Sequence, residues 1–188
     1  MASSYKFLVD GFAISHVAML LLFNVNNFNI AMADTTLIDA VCKRYTDYGF
    51  CVSTFASDPR SATADLNGLG KLSTQITMNL LQQTLSDDIP KIRNNIRDPV
   101  GLQRLNVCQS DYQTALQKFA EAFKSTDNKA YPDVINWVRD GTNLVIDCQN
   151  IYRRSEPITE SPTAAVNQKV INLVGVILTV NDMLMGLS

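Results

Sequence analysis

The chain has 188 residues, with 16 Lys+Arg against 18 Asp+Glu and a formal charge of −2. That length fits one ordinary domain able to bury its own core, and the charge excludes a polybasic nucleic-acid or membrane-surface binder. At 46% hydrophobic and 18% charged, the composition also excludes a disordered chain.

Residues 1–33 read as a secretory signal peptide. Lys6 is the only basic residue before Lys43, an apolar run from Val17 to Phe23 follows, and Ala31-Met32-Ala33 offers a small-residue cut site before Asp34. The run is too short for a membrane span of about 20 residues, although the Asn-rich stretch Asn24–Asn29 lengthens the spacer, and an N-terminal anchor is the alternative reading. Cleavage after Ala33 leaves a mature chain of 155 residues, and the only histidine, His16, goes with the leader.

Without histidine, the mature chain cannot build a Ser-His-Asp or Cys-His nucleophile system or a His-ligated zinc site. Asp87 and Asp88 are adjacent, so on a helix they diverge and do not converge as an acid/base pair. No Gly-x-Ser-x-Gly occurs, and Gly68-Leu69-Gly70 is too short for a phosphate loop. These absences argue against an enzyme, a cofactor and a metal.

Four cysteines, Cys42, Cys51, Cys108 and Cys148, lie in the mature part. An even number in a secreted chain implies disulfides, with three pairings open. Local pairing, Cys42 with Cys51 and Cys108 with Cys148, is the one favoured here. The second closes a loop of about 40 residues, worth about 3–4 kcal/mol through the unfolded chain. No Asn-x-Ser/Thr sequon occurs.

The mature chain reads helix after helix. A short helix from about Thr35 to Tyr45, a turn at Asp47-Tyr48-Gly49 and a second short helix over about Phe50–Ala56 form a hairpin. Asp58-Pro59-Arg60-Ser61 is a turn that bounds it. A long segment from about Thr63 follows, with Leu66, Leu69, Leu72, Ile76, Leu80 and Thr84 on one face, Gly68 and Gly70 weakening it, Pro90 kinking or restarting it and Asp98-Pro99 ending it. Leu105, Cys108, Tyr112, Ala115 or Leu116, Phe119 and Ala122 or Phe123 make the next stripe, ending in a loop at Ser125–Asn128. Val134, Val138, Gly141, Val145, Cys148 and Tyr152 make another. The last helix, about Thr163–Met185, is apolar nearly all round, but Asn172, Thr179, Asn181 and Asp182 interrupt it. That pattern suits a helix buried among others better than a membrane span or a lipid-anchor tail.

The expected fold is therefore all-α, an antiparallel, up-and-down four-helix bundle over 61–188 with an N-terminal helical hairpin over 34–60. Two surface sets stand out. Gln103, Asn106, Gln109, Ser110, Gln113 and Gln117 form a polar face, and Lys91, Arg93, Arg97 and Arg104 form a basic set that reads as a solvated surface.

In order along the chain stand Cys42-x8-Cys51 enclosing Thr46 and Tyr48, Asp58-Pro59-Arg60-Ser61, Ala64-Asp65-Leu66 with Leu69, then Cys108 and Cys148 on successive helices and an apolar last helix. This ordered set resembles the plant invertase and pectin methylesterase inhibitor family. The stretch from Asp58 to Gly70 is similar in particular to plane-tree pollen allergens described as invertase inhibitors.

The resemblance implies the same bundle and the same two disulfides. It implies a monomer secreted to the cell wall or delivered to the vacuole, bound to neither nucleic acid nor membrane once the leader is gone. It also implies a function without catalysis: the protein binds acid invertase, or alternatively pectin methylesterase, and blocks its cleft, and a non-inhibitory allergen-type bundle is a third reading. Invertase inhibitors of the family carry a Pro-Lys-Phe motif near the start of the third bundle helix. The matching region here is Asn128-Lys129-Ala130-Tyr131-Pro132-Asp133, which holds a cation, a ring and a proline in a different order. Lys129, Tyr131, Pro132 and Asp133 are thus the candidate target-binding residues, because a cation suits an acidic cleft and a ring mimics a sugar-stacking surface. The pectin methylesterase branch uses a broad face of the bundle helices and often carries a fifth cysteine, which this chain lacks.

Overall fold

A computed structural model describes residues 37–187. The leader and its cut site lie outside the described residues. Among the described residues seven helices follow one another: α1 (helical over 37–42), α2 (Tyr48–Ala56), α3 (Leu66–Gln83), α4 (Ile89–Asn95), α5 (Pro99–Asp127), α6 (Tyr131–Asn150) and α7 (Ala164–Leu184). A 3-10 turn, Pro59–Thr63, sits between α2 and α3, and a π-helical turn, Thr84–Asp88, joins α3 to α4.

Aspartates start the helices of the first half. Asp47, Asp58, Asp65 and Asp98 each accept a backbone N–H from two or three residues ahead, capping α2, the 3-10 turn, α3 and α5. Both Asp-Pro pairs combine this cap with a first-turn proline whose missing N–H would have no helical partner anyway. The Asp58–Ser61 turn is thus the entry to a short helix, with Asp58 also pairing with Arg60 at 2.6 Å.

Helices α3, α5, α6 and α7 form the four-helix bundle, each packed on its two neighbours in that ring. The α1–α2 hairpin leans on α3 and α7 through α2. The larger core holds Leu81, Ile89, Leu105, Tyr112, Phe119, Val134, Val138, Val145 and Ile177 around the Cys108–Cys148 bridge. The smaller core lies under the hairpin, where Val41, Phe55, Leu69, Leu72, Val176 and Val180 surround Cys42–Cys51. Both stripes predicted for α5 and α6 are buried as spaced.

Two details differ from the sequence expectation. Past Leu72, the buried face of α3 runs through Ser73, Thr74, Thr77 and Leu81, not through Ile76 and Leu80, which are only half-buried. The hydroxyls of Ser73 and Thr74 donate to the Gly70 carbonyl and that of Thr77 to Ser73 O, so these small side chains enter the core with their polar atoms satisfied. The helix restarts at Pro90 as expected. The π turn spaces the backbone so that Ile89 N donates back to Thr84 O, and Pro90 falls in the first turn of α4. Helix α5 also runs through the predicted loop at Ser125–Asn128 as far as Asp127, with Thr126 buried and bonded to Ala122 O.

Two glycines admit close approaches. A Cβ on Gly70 would lie 3.2 Å from Thr126 Cγ2, where α3 meets the end of α5. A Cβ on Gly175 would lie 2.5 Å from Tyr45 Cε2. Tyr45 uses that notch to donate its hydroxyl to Asn172 O (3.0 Å), fastening the hairpin to α7.

Candidate functional site

The starts of α3 and α6 and the ends of α5 and α7 meet at one end of the bundle. The turn between α5 and α6 is three residues long, Asn128-Lys129-Ala130. Lys129 N donates to Thr126 O (3.1 Å) and Ala130 N to Ser125 O (2.8 Å). This paired closure is a Schellman motif, which requires a left-handed residue just past the helix. Lys129 fills that position with φ 58°, where glycine is usual.

The turn is held from two more sides. Tyr131 is half-buried, and its hydroxyl donates to Asn67 Oδ1 on α3 (3.3 Å). Asn181 on α7 donates from Nδ2 to the Tyr131 carbonyl (3.2 Å). Lys129, Pro132 and Asp133 are exposed, with Pro132 and Asp133 in the first turn of α6. Among the described residues, neither Lys129 nor Asp133 joins an ion pair, whereas neighbouring Asp127 is taken by Lys71 at 2.8 Å. The structure therefore places Lys129, Pro132 and Asp133 on the surface beside the half-buried ring of Tyr131.

The polar set of α5 also forms a surface. Gln103, Asn106, Ser110, Gln113 and Gln117 are exposed at helical spacing, and the column continues through Glu121 and Lys124 to Asn128. Gln109 is half-buried, and Arg93 of α4 donates to both Asn106 and Gln109 (2.7 Å each). The basic set does not form a solvated face as expected. Lys91 and Arg97 are exposed, but Arg93 is engaged as described and Arg104 is only 4% exposed. Arg104 donates to Ser155 O (2.7 Å) and Pro157 O (2.8 Å) and stacks over Tyr152, pinning the α6–α7 loop.

The far end of the bundle is closed. Cys108 and Cys148 bridge α5 to α6, and the Tyr112 hydroxyl donates to Asn167 Oδ1 of α7 beside them. Asn167 Nδ2 points back at Cys148 Sγ (3.9 Å). Burial pushes the Tyr112 hydroxyl up to about 12. Asp111, next to Tyr112, has its carboxyl raised first by burial and then by Asp147.

Sequence reasoning missed Asn67 and Asn181. The one signal was Asn181 itself, one of the polar residues that interrupt the apolar last helix.

Among the described residues the chain is an all-helical bundle with two disulfides and an exposed turn between α5 and α6. A family model described as Plant invertase/pectin methylesterase inhibitor matches residues 36–180. The chain belongs to that family, whose members are enzyme inhibitors and not enzymes. It is 37% identical to Pectinesterase inhibitor 5 of Arabidopsis thaliana over 145 residues, covering 76% of this chain and 80% of the relative. It is 31% identical to Cell wall / vacuolar inhibitor of fructosidase 2 of the same plant over 120 residues, covering 64% of this chain and 67% of the relative. The plane-tree relatives from Platanus acerifolia and Platanus orientalis match at 24% and 25%, covering 86% and 88% of this chain and 93% and 99% of theirs. The crystal structure of mutant form A of a pectin methylesterase inhibitor from Arabidopsis superposes with a TM-score of 0.65 at 20% identity, covering 78% of this chain and 95% of that one. That likeness bears on the fold.

Proposed function

We propose that this protein is a secreted inhibitor of pectin methylesterase that binds its target through the outer face of α5 and the Lys129–Asp133 turn. The exposed column of α5 that runs into this turn carries the reading. It offers amides and a hydroxyl as far as Gln117, then the Glu121–Lys124 pair, and leads to exposed Lys129 and the ring of Tyr131. The 37% identity to Pectinesterase inhibitor 5 points the same way, as does the absence of the Pro-Lys-Phe order. Invertase is the second reading. It draws on the 31% identity to an inhibitor of fructosidase and on the free Lys129 beside Tyr131, which suit an acidic, sugar-binding cleft.

Residues 1–33 act as the leader, and the mature chain from Asp34 carries the hairpin (34–60) and the bundle (61–188) to the cell wall, with the vacuole as the other destination. A mass measurement of the protein recovered from wall fluid should give a chain beginning at Asp34.

The functional test mixes the mature, disulfide-bonded protein with pectin methylesterase and, in parallel, with acid invertase. Methanol release from pectin should fall. An unchanged rate at micromolar excess overturns the first reading, and lowered sucrose hydrolysis alone establishes the second. No effect on either enzyme leaves a secreted bundle that inhibits neither.

A further inference from the structure

Asn181 is the odd member of the α7 core. It is 2% exposed, among Val180, Ile177 and Val176. Its Nδ2 donates to the Tyr131 carbonyl, yet its Oδ1 is buried without a partner among the described residues. Asn167, on the same helix, uses both ends of its amide.

The Tyr131 carbonyl does not depend on this donor. It lies in the first turn of α6, where the helix supplies an amide four residues on. An apolar side chain of similar size at 181 would fill the space without an unmet acceptor. What the Asn181 bond adds is a fixed point between the end of α7 and the start of α6. It acts on a turn whose Lys129 already sits in an unfavourable backbone region, a conformation that persists only when its surroundings over-determine it.

We infer that Asn181 is a positioning residue for target binding: it holds the first turn of α6 so that Lys129 and Tyr131 are presented in one arrangement. This rests on the reading of the Lys129–Asp133 turn as a target contact. The bond lies beneath the turn and leaves Lys129, Pro132 and Asp133 open to a partner.

The test uses Asn181→Leu in the full mature, oxidised chain, with Asn181→Ala as a second variant should the first fold poorly. In the free protein, amide hydrogen exchange should quicken at residues 129–134 and stay unchanged in α5 and α6 away from the turn. Melting temperature should hold or rise, while inhibition of the responsive enzyme weakens about fivefold to tenfold, as for one lost fixing hydrogen bond. Adding Lys129→Ala and Tyr131→Ala should then cost no more than those two changes cost alone. Unchanged exchange at 129–134 overturns the inference. So does potency that falls only in step with melting temperature, because that assigns Asn181 a merely structural role. If Lys129→Ala with Tyr131→Ala leaves potency intact, the contact reading fails by itself, and exchange at the turn still decides whether Asn181 positions it.

Discussion

The two ends of the bundle use the same materials for opposite purposes. At the far end, a disulfide, Tyr112, Asn167 and the Arg104 clamp interlock α5, α6, α7 and the loop between the last two. Every polar atom of Asn167 is engaged there. At the near end, α5 and α6 meet in a three-residue turn with no covalent tie, Lys129 sits in a left-handed conformation, and Asn181 leaves its oxygen unmet. The near end is also where the hairpin docks, with its own disulfide and its own small core. The difference teaches how the two ends are held. The far end is cross-linked by a disulfide and a clamp, with Asp111 Oδ2 and Tyr152 OH buried there without partners among the described residues, while the near end rests on single hydrogen bonds around a left-handed residue.

The largest effects should come from the disulfides. Replacing Cys108 and Cys148 together by Ala should lower stability by about 4 kcal/mol, and replacing Cys42 and Cys51 by about 3 kcal/mol, because the second loop is shorter. Denaturant unfolding of the two pairs checks the order. Equal losses would mean that the hairpin is as integral as the bundle.

Tyr112→Phe strips the donor from buried Asn167 Oδ1 and should lose about 1–3 kcal/mol. It should also reshape the alkaline limb. Tyrosines of the unfolded chain lose their protons from about pH 10, whereas folded Tyr112 holds its proton up to about 12. Its contribution is therefore complete below about pH 10 and drains away as pH climbs toward the folded value. The stability curve of Tyr112→Phe should fall less steeply over that window.

Gly175→Ala places a methyl where the Tyr45 ring lies. Overpacking of this kind typically costs about 1–3 kcal/mol. Faster hydrogen exchange in 37–56 than in the bundle would show that the loss belongs to hairpin docking.

Lys129→Gly should stabilise the protein by about 1 kcal/mol, since glycine adopts the left-handed position without the Cβ penalty. The same change should weaken inhibition. Gains in both properties would remove Lys129 from the contact.

The smallest effect is assigned to Asp111. Burial, then Asp147, raises its carboxyl. Its stabilising contribution is complete below the ordinary carboxylate range and is lost as pH rises through the raised value. Asp111→Asn should therefore be more stable than the parent at neutral pH, with the gain shrinking on acidification. Thermal melts at pH 3.5 and 7 supply the comparison.

Much of the fold was legible because it is local. The boundaries at Asp58-Pro59 and Asp98-Pro99 and the stripes through Cys108 and Cys148 act over one to four residues, and those distances are what periodicity and turn chemistry read. The buried Ser73, Thr74 and Thr77 were not legible, because polarity scales do not see a hydroxyl satisfied by the carbonyl one turn back. Arg104 was misread as a surface charge for a related reason: its partners, Ser155 and Pro157, lie about fifty residues on.

By itself the sequence determined the helical class, the helix boundaries at the Asp-Pro pairs and the apolar stripes of α5 and α6. Each follows from residue identity or from contacts within a helical turn. Only the tertiary structure decided that Tyr131 is tied to Asn67 and Asn181 and that the hairpin locks into the Gly175 notch. Those contacts join residues 50 to 130 positions apart, and they exist only once the four helices have packed.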